Sequence, residues 1–556
     1  MKKDMGVAET CRNYLRMLLY GVTLFYLAVT VVALPIYFKT ETDYGSIGSD
    51  KSGFFHNWGF AAARMFGIIL VCYLFFALIC WWKENRAQKR KISILIDQFL
   101  DDLSLTDKCV CFYLVILGLS YYYTEYRDTL LMGVDGWYMG FFPQLVFIGS
   151  YFAVSRLLHG RQIRWLFAGM LVVSAFVFML GTLNRFGVNP LGMTSSGPSF
   201  ISTIGNINWY CGYWSVLFPL GAGAFVFYEK QSGIKGYGWK HALLGCFVAI
   251  GFATGVTQGS DSGILTLMGV ILLTGCLSAG KEGRLKNFLQ MLLIFCGVAI
   301  SLAIVQFFFP EQNQYVTSTY TIMTKTPLPW IGFGVLLGGY LYLYAGQQRN
   351  KGVRVLRNVW WGITGLVGVV LLVYLLLLIL NTLHPGSIGR LSENPLFTFN
   401  AKWGSSRGAT WTLGMKTWLS QNLLHKLVGV GPDGMPLYIY SGADEALLAA
   451  TREQFGASRL TNAHGEWITV LVNTGVFGLI GFAGIMFSGM ARFIKNHKKS
   501  ALCIACGLSL FGYTLNNVFS FWQIMNITQM FVVLGMGECL LREGKNSYEQ
   551  DSDCGR

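Results

Sequence analysis

Two uncharged stretches limit what this chain can become. Residues 287–309 and 360–380 hold no Asp, Glu, Lys or Arg. Each is long enough to cross a bilayer core, which takes about 20 apolar residues as a helix. The rest of the chain agrees, with 53% of residues hydrophobic and 13% charged, against roughly a quarter charged in soluble domains. The first apolar run, residues 14–38, is too long for a signal-peptide core and lacks a small-residue cleavage site, so it reads as the first span.

Marking such runs predicts an all-α, polytopic integral membrane protein with about fourteen transmembrane helices. They begin near Tyr14, Gly59, Cys109, Gly140, Trp165, Trp209, His241, Ser262, Asn287, Leu328, Asn358, Glu466, Ala501 and Ile524. If alternate loops lie on opposite sides and the N-terminus is inside, about 30 of the 43 Lys and Arg residues fall on the inner side. Lys2, Lys3, Arg12 and Arg16, the basic residues of 83–91 and 349–357, and Lys495, Lys498 and Lys499 make up most of these. The net charge of +15 therefore reflects topology and contact with anionic lipid headgroups, and argues against a nucleic-acid partner. Both termini are expected in the cytoplasm, with the chain spanning the plasma (inner) membrane. The 13 cysteines lie mostly in apolar runs, where they act as small hydrophobes. The pair Cys503 and Cys506 has no partner pair for metal or redox chemistry.

This divides the chain into residues 1–204, with five spans and a cytoplasmic amphipathic segment at 83–108, and 205–380, with six more. Then follow a hydrophilic loop at 381–465, three spans at 466–541 and a tail at 542–556. A loop of that length is usually functional. Its Trp, Arg and Leu content favours order over disorder.

The loop holds most of the chemistry-bearing candidates. Ser405 and Ser406 are candidate N-caps of a helix placing Arg407, Trp411, Met415 and Trp418 on one face. A guanidinium there either reaches to lipid headgroups or clamps a phosphate by paired hydrogen bonds. Gly429 and Gly431 form a tight turn without the βαβ surroundings of a dinucleotide fingerprint. At the loop's end, Thr461 or Asn462 is expected to cap the next span, placing His464 in its first turn. The helix dipole there favours a neutral imidazole, suited to a general base or to local hydrogen bonding. Before the loop, Asn206 and Asn208 open a span as caps or as contacts for sugar hydroxyls.

In this order, these patches resemble the O-antigen ligase and O-antigen polymerase superfamily over residues 205–478. Gly205, Asn206 and Asn208 match its GNxN element, with Ile207 in place of the usual proline. Arg407 and Trp411 match its loop helix, Gly429 and Gly431 its glycine turn, and His464, Gly475 and Gly478 its C-terminal signature. Two departures stand out. Asp261 occupies the arginine position of a Ser-Arg-Gly element, and Gly465 replaces an asparagine. The family's second phosphate-binding arginine would have to be Arg185, Arg390, Arg452 or Arg459.

The resemblance implies a membrane glycosyltransferase of cell-surface polysaccharide assembly that needs neither cofactor nor metal. Its donor would be a polyprenyl-pyrophosphate-linked glycan and its acceptor a hydroxyl of a glycan, lipid or protein on the extracytoplasmic face. His464 would accept the acceptor's proton and Arg407 would stabilise the departing pyrophosphate, with Asn206, Asn208, Trp411, Gly429, Gly431, Asp261, Arg185 and Arg390 binding the substrate. Two other readings compete. Glu41 and Asp43 form an ExD that suits a metal-dependent glycosyltransferase, and fourteen spans also suit a transporter or lipid-linked oligosaccharide flippase, although no internal repeat is evident.

Overall fold

The computed structural model describes residues 6–39, 46–88, 101–134, 136–193, 200–229, 238–310, 317–345, 349–496 and 500–553. Among these, ten helices are long and apolar enough to cross a membrane. Phe141–Leu157 and Ala501–Asn516 are apolar but shorter. One two-residue ladder, Phe200–Ile201 against Gly205–Asn206, is antiparallel. The chain is an all-α, multi-pass membrane-type protein.

The helix Ile207–Val226 forms the centre of the bundle, with every residue from Tyr210 to Val226 buried. Small residues allow its close approach to Ala501–Asn516. A Cβ on Gly512 would lie 2.4 Å from the Ser215 carbonyl oxygen, and the Ser509 hydroxyl donates to the Val216 carbonyl at 2.6 Å. In lipid, where burying apolar surface drives no helix association, such backbone-close packing and interhelical hydrogen bonds hold helices together. The periphery is the reverse. Leu366, Val369, Val370, Leu372 and Leu376 of Arg349–Leu383 are exposed, as suits helix faces solvated by acyl chains.

The helix Glu466–Lys495 is broken at Gly475, whose φ of 68° lies in the left-handed region. A broken helix at membrane depth persists only where its freed carbonyls find new donors. Here Val472 O accepts from Val430 N at 3.2 Å and from Gln421 Nε2 at 3.2 Å. Asn473 O accepts from Gly431 N at 3.1 Å and from the Ser120 hydroxyl at 2.8 Å. The segment preceding this helix thus seals its break.

That segment is ordered. Helices Leu423–Val428, Met435–Tyr440 and Glu445–Phe455 follow Trp403–Ser420, and Leu413, Val430, Met435, Ile439, Leu447 and Leu460 form a small core of their own. At the opposite helix ends, an ionic network ties four helices together. Asp107, fully buried, accepts from Tyr151 at 2.6 Å, Arg156 at 3.2 Å and Arg542 at 2.5 Å, while Arg492 pairs with Glu538. Residues 89–100, within the expected amphipathic segment, lie outside the described residues.

Candidate functional site

One turn organises the site. Residues 517–523 join Ala501–Asn516 to Ile524–Asp553, and their backbone and rings receive groups from three other segments. The Phe519 carbonyl accepts from Arg407 Nε at 2.8 Å, and the guanidinium carbon lies 5.8 Å from the Phe519 ring centre. Trp411 stacks on the same ring, 5.4 Å between centroids and 22° apart. The Phe521 ring meets the His464 imidazole edge-on at 5.1 Å. Asn517 and Ser520 carbonyls both accept from Glu466 N, while Trp522 N donates to Glu466 Oε2 at 2.7 Å.

Arg407 enters this site from a distorted helix start. Gly404, Ser405 and Ser406 have φ of 59°, 58° and 69°, a left-handed conformation costly for a serine. The bend brings the Gly404 carbonyl to Arg407 Nη1 at 2.9 Å. The expected serine cap is absent; Ser405 instead donates to Asp261 Oδ2 at 3.4 Å. The buried face also differs from expectation, running through Arg407, Thr410, Leu413, Gly414 and Thr417, with Trp411, Met415 and Trp418 half-buried beside it. The reason is the small core beneath the helix, which takes up Leu413 directly. Arg407 is 8% exposed, and its two backbone bonds use two of five N–H groups. Burial lowers its proton affinity, and the negative charge of Asp261 partly restores it.

His464 does not lie in the first helical turn. The helix begins at Glu466 with Gly465 as its N-cap, because a Cβ at position 465 would stand 2.8 Å from Trp411 Nε1 and 3.0 Å from the Val518 carbonyl oxygen. His464 precedes it in a left-handed conformation, φ 49°, with its N–H donated to Asn462 Oδ1 at 2.9 Å. Its pKa falls to about 4 through burial first and the nearby Arg407 charge second. The imidazole is neutral at pH 7, as expected, but burial takes the leading part that the dipole argument assigned to the helix.

A polar chain extends the site to two other helix starts. Asn206 caps Ile207–Val226, accepting from Asn208 N and Trp209 N. Asn208 Oδ1 accepts from the Ser260 hydroxyl at 2.9 Å, next to Asp261 at the start of Asp261–Ser278. Arg185, 3% exposed, donates through Nη2 to the Gln258 carbonyl at 2.6 Å and so braces this turn from behind.

The structure thus gathers Arg407, Trp411, His464, Asp261, Asn206 and Asn208, with Arg185 beneath them. It does not gather Gly429 and Gly431, which seal the helix break; a Cβ on Gly429 would lie 2.1 Å from the Asn473 oxygen. Arg390 is exposed on a separate turn, Gly389–Glu393. Arg452 is exposed on Glu445–Phe455, and Arg459 sits over the Tyr440 ring. Glu41 and Asp43 lie outside the described residues.

Sequence reasoning missed the 517–523 turn and Glu466. A signal was present: Asn516, Asn517, Ser520, Gln523, Asn526 and Gln529 interrupt an apolar region, and polar side chains at membrane depth are costly unless they serve a purpose. Around this turn, Trp411 Nε1, Asn517 Nδ2, Ser520 Oγ and both polar atoms of Gln523 are buried without a hydrogen-bond partner among the described residues. Such groups call for water or a polar ligand.

Compared with known proteins, the chain matches no family model, and no curated protein is significantly similar to it.

Proposed function

We propose that this protein is a membrane glycosyltransferase that moves a glycan from a polyprenyl-pyrophosphate donor to an acceptor hydroxyl on the extracytoplasmic face, as O-antigen ligases and polymerases do. The observation that carries this reading is the meeting of a buried arginine and a neutral, half-buried histidine on one turn, beside unpartnered polar groups. Left-handed backbone at Ser405, Ser406 and His464 is the kind of strain that clusters where function requires it.

The chemistry needs two things of the protein. A base must take the hydroxyl proton as the oxygen attacks the anomeric carbon, and a cation must meet the charge growing on the departing pyrophosphate. His464 and Arg407 fill these roles. With a pKa near 4, His464 by itself is a weak base. A bound pyrophosphate would offset the Arg407 charge and raise the imidazole's proton affinity, so donor binding itself prepares the base. Asn208, Asp261 and Trp411 would contact the sugar.

On this reading fourteen helices span the membrane, both termini are cytoplasmic, and residues 381–465 lie outside. The break at Gly475 is the feature that favours a transporter, since discontinuous helices line many transport pathways. Its carbonyls are already satisfied by Val430, Gly431, Gln421 and Ser120, which favours a sealed joint over a pathway.

The test is reconstitution of the purified protein with a polyprenyl-pyrophosphate glycan and a hydroxyl acceptor. Release of polyprenyl pyrophosphate in step with glycan transfer, lost in Arg407→Ala, supports the reading. Movement of intact donor across the bilayer without bond cleavage refutes it.

A further inference from the structure

Four acidic side chains are buried among the described residues: Asp107, Asp433, Glu466 and Glu538. Asp107 and Glu538 face arginines at the opposite helix ends. Among the described residues, Asp433 and Glu466 have no basic side chain within salt-bridge distance. Asp433 Oδ2 accepts from Val134 N at 2.7 Å and Met139 N at 3.3 Å, and Glu466 accepts from Trp522 N at 2.7 Å. The two carboxyl groups line one cavity of about 40 Å³, and the Asp433 charge acts on Glu466.

That volume has room for about three water molecules. The cavity's wall also carries an orphan donor. Trp522 is 6% exposed, and its indole N–H has no partner among the described residues. A buried N–H needs an acceptor, and a donor on the wall opposes a metal cation and favours water. The other polar residues lining the cavity are Tyr113 and Gln144 from two neighbouring helices, Asn462, Thr469, Asn473 and Thr474, none of them cationic. Tyr513 also interacts with the Glu466 charge.

Two carboxylates in one low-dielectric space, with no cation between them, do not both ionise. We propose that this cavity is a hydrated proton-binding site in which Asp433 and Glu466 hold one proton between them. Burial pushes the Asp433 carboxyl up to about 7 against the lowering effect of the Val134 and Met139 N–H groups, consistent with such sharing. The site adjoins His464 through two common residues: Asn462 lines the cavity and accepts the His464 N–H, and Phe521 lines it and packs on the imidazole. On the glycosyltransferase reading, the pair's single negative charge offsets the imidazolium formed when His464 takes the acceptor's proton. The proton bond broken is O–H, the one formed is N–H, and the pair keeps its own proton throughout.

The test is infrared spectroscopy of the purified full-length protein in H₂O and D₂O across a pH series. It needs no substrate, so its failure is separate from failure of the catalytic reading. The expected result is a protonated-carboxyl C=O band at pH 7 that shifts in D₂O. Asp433→Asn, which keeps an acceptor oxygen for Val134 and Met139, and Glu466→Gln should each move its pH midpoint, and the double variant should lose it. No band at pH 7, or a band untouched by either single substitution, overturns the proposal.

Discussion

Arg407 and His464 are anchored on one turn, the first by its Nε donation to the Phe519 carbonyl at 2.8 Å and the second by its ring edge on Phe521, 5.1 Å between centroids. The arginine's charge adds to burial in holding the imidazole pKa near 4. A lowered histidine pKa means that the base form is present above about 4 and is lost as pH falls through that value. Arg407→Gln removes one of the two causes, so the midpoint should rise toward the ordinary 6.5 without reaching it, since burial remains. Histidine-labelled NMR of the seven histidines, with His464→Gln for assignment, reads this directly. An unmoved midpoint would mean that the two groups are not coupled.

Trp411 stacks on Phe519 while its buried indole N–H lacks a partner. Trp411→Phe keeps the stack and deletes the donor. The fold should survive, with thermal unfolding close to wild type, and donor KM should rise roughly fivefold, the worth of about 1 kcal/mol for one hydrogen bond. Unchanged KM would remove Trp411 from the substrate contacts.

Gly429 illustrates a motif residue whose place in the fold differs from its expected place at the substrate. Its φ of 83° and the 2.1 Å approach of a Cβ to the Asn473 oxygen leave no room for a side chain. Gly429→Ala should lower stability by about 2 kcal/mol or more, seen as a lower unfolding temperature in detergent. Any loss of transfer should follow loss of folded protein. Full stability with lost donor binding would return Gly429 to the substrate site.

Asp107 anchors the opposite end of the bundle with Tyr151, Arg156 and Arg542. Asp107→Ala removes the buried carboxylate that Arg156 and Arg542 share; both keep Asp102 and Arg542 keeps Glu538, so the cost should be about 1–3 kcal/mol. The variant should fail to accumulate or unfold at markedly lower temperature. Near-wild-type stability would show that solvent reaches this cluster.

The helices were legible because their cause is local. A run such as 360–380 cannot dissolve in water, and the capped start at Asn206 and the helix start at Asp261 stand where the polar residues stop. Asp261, Asn208 and Arg407 were legible as types but not as neighbours, since Ser260 and Ser405 link them only in three dimensions. The cap of the helix after the loop stands at Gly465 and not at Thr461 or Asn462, because packing of Gly465 against Trp411 and Val518, a long-range contact, sets the helix boundary. The 517–523 turn was overlooked because its contribution is mostly backbone carbonyls, which every residue carries alike.

The most direct test of the central claim follows lipid-linked glycan and finished product in cells expressing His464→Ala or Arg407→Ala at confirmed wild-type protein levels. The account predicts that precursor accumulates and product falls by about 10²-fold or more in each variant, as expected for loss of a general base or of transition-state charge stabilisation. Product made at the wild-type rate by either variant would contradict the role given to that residue, and by both would contradict the glycosyltransferase itself.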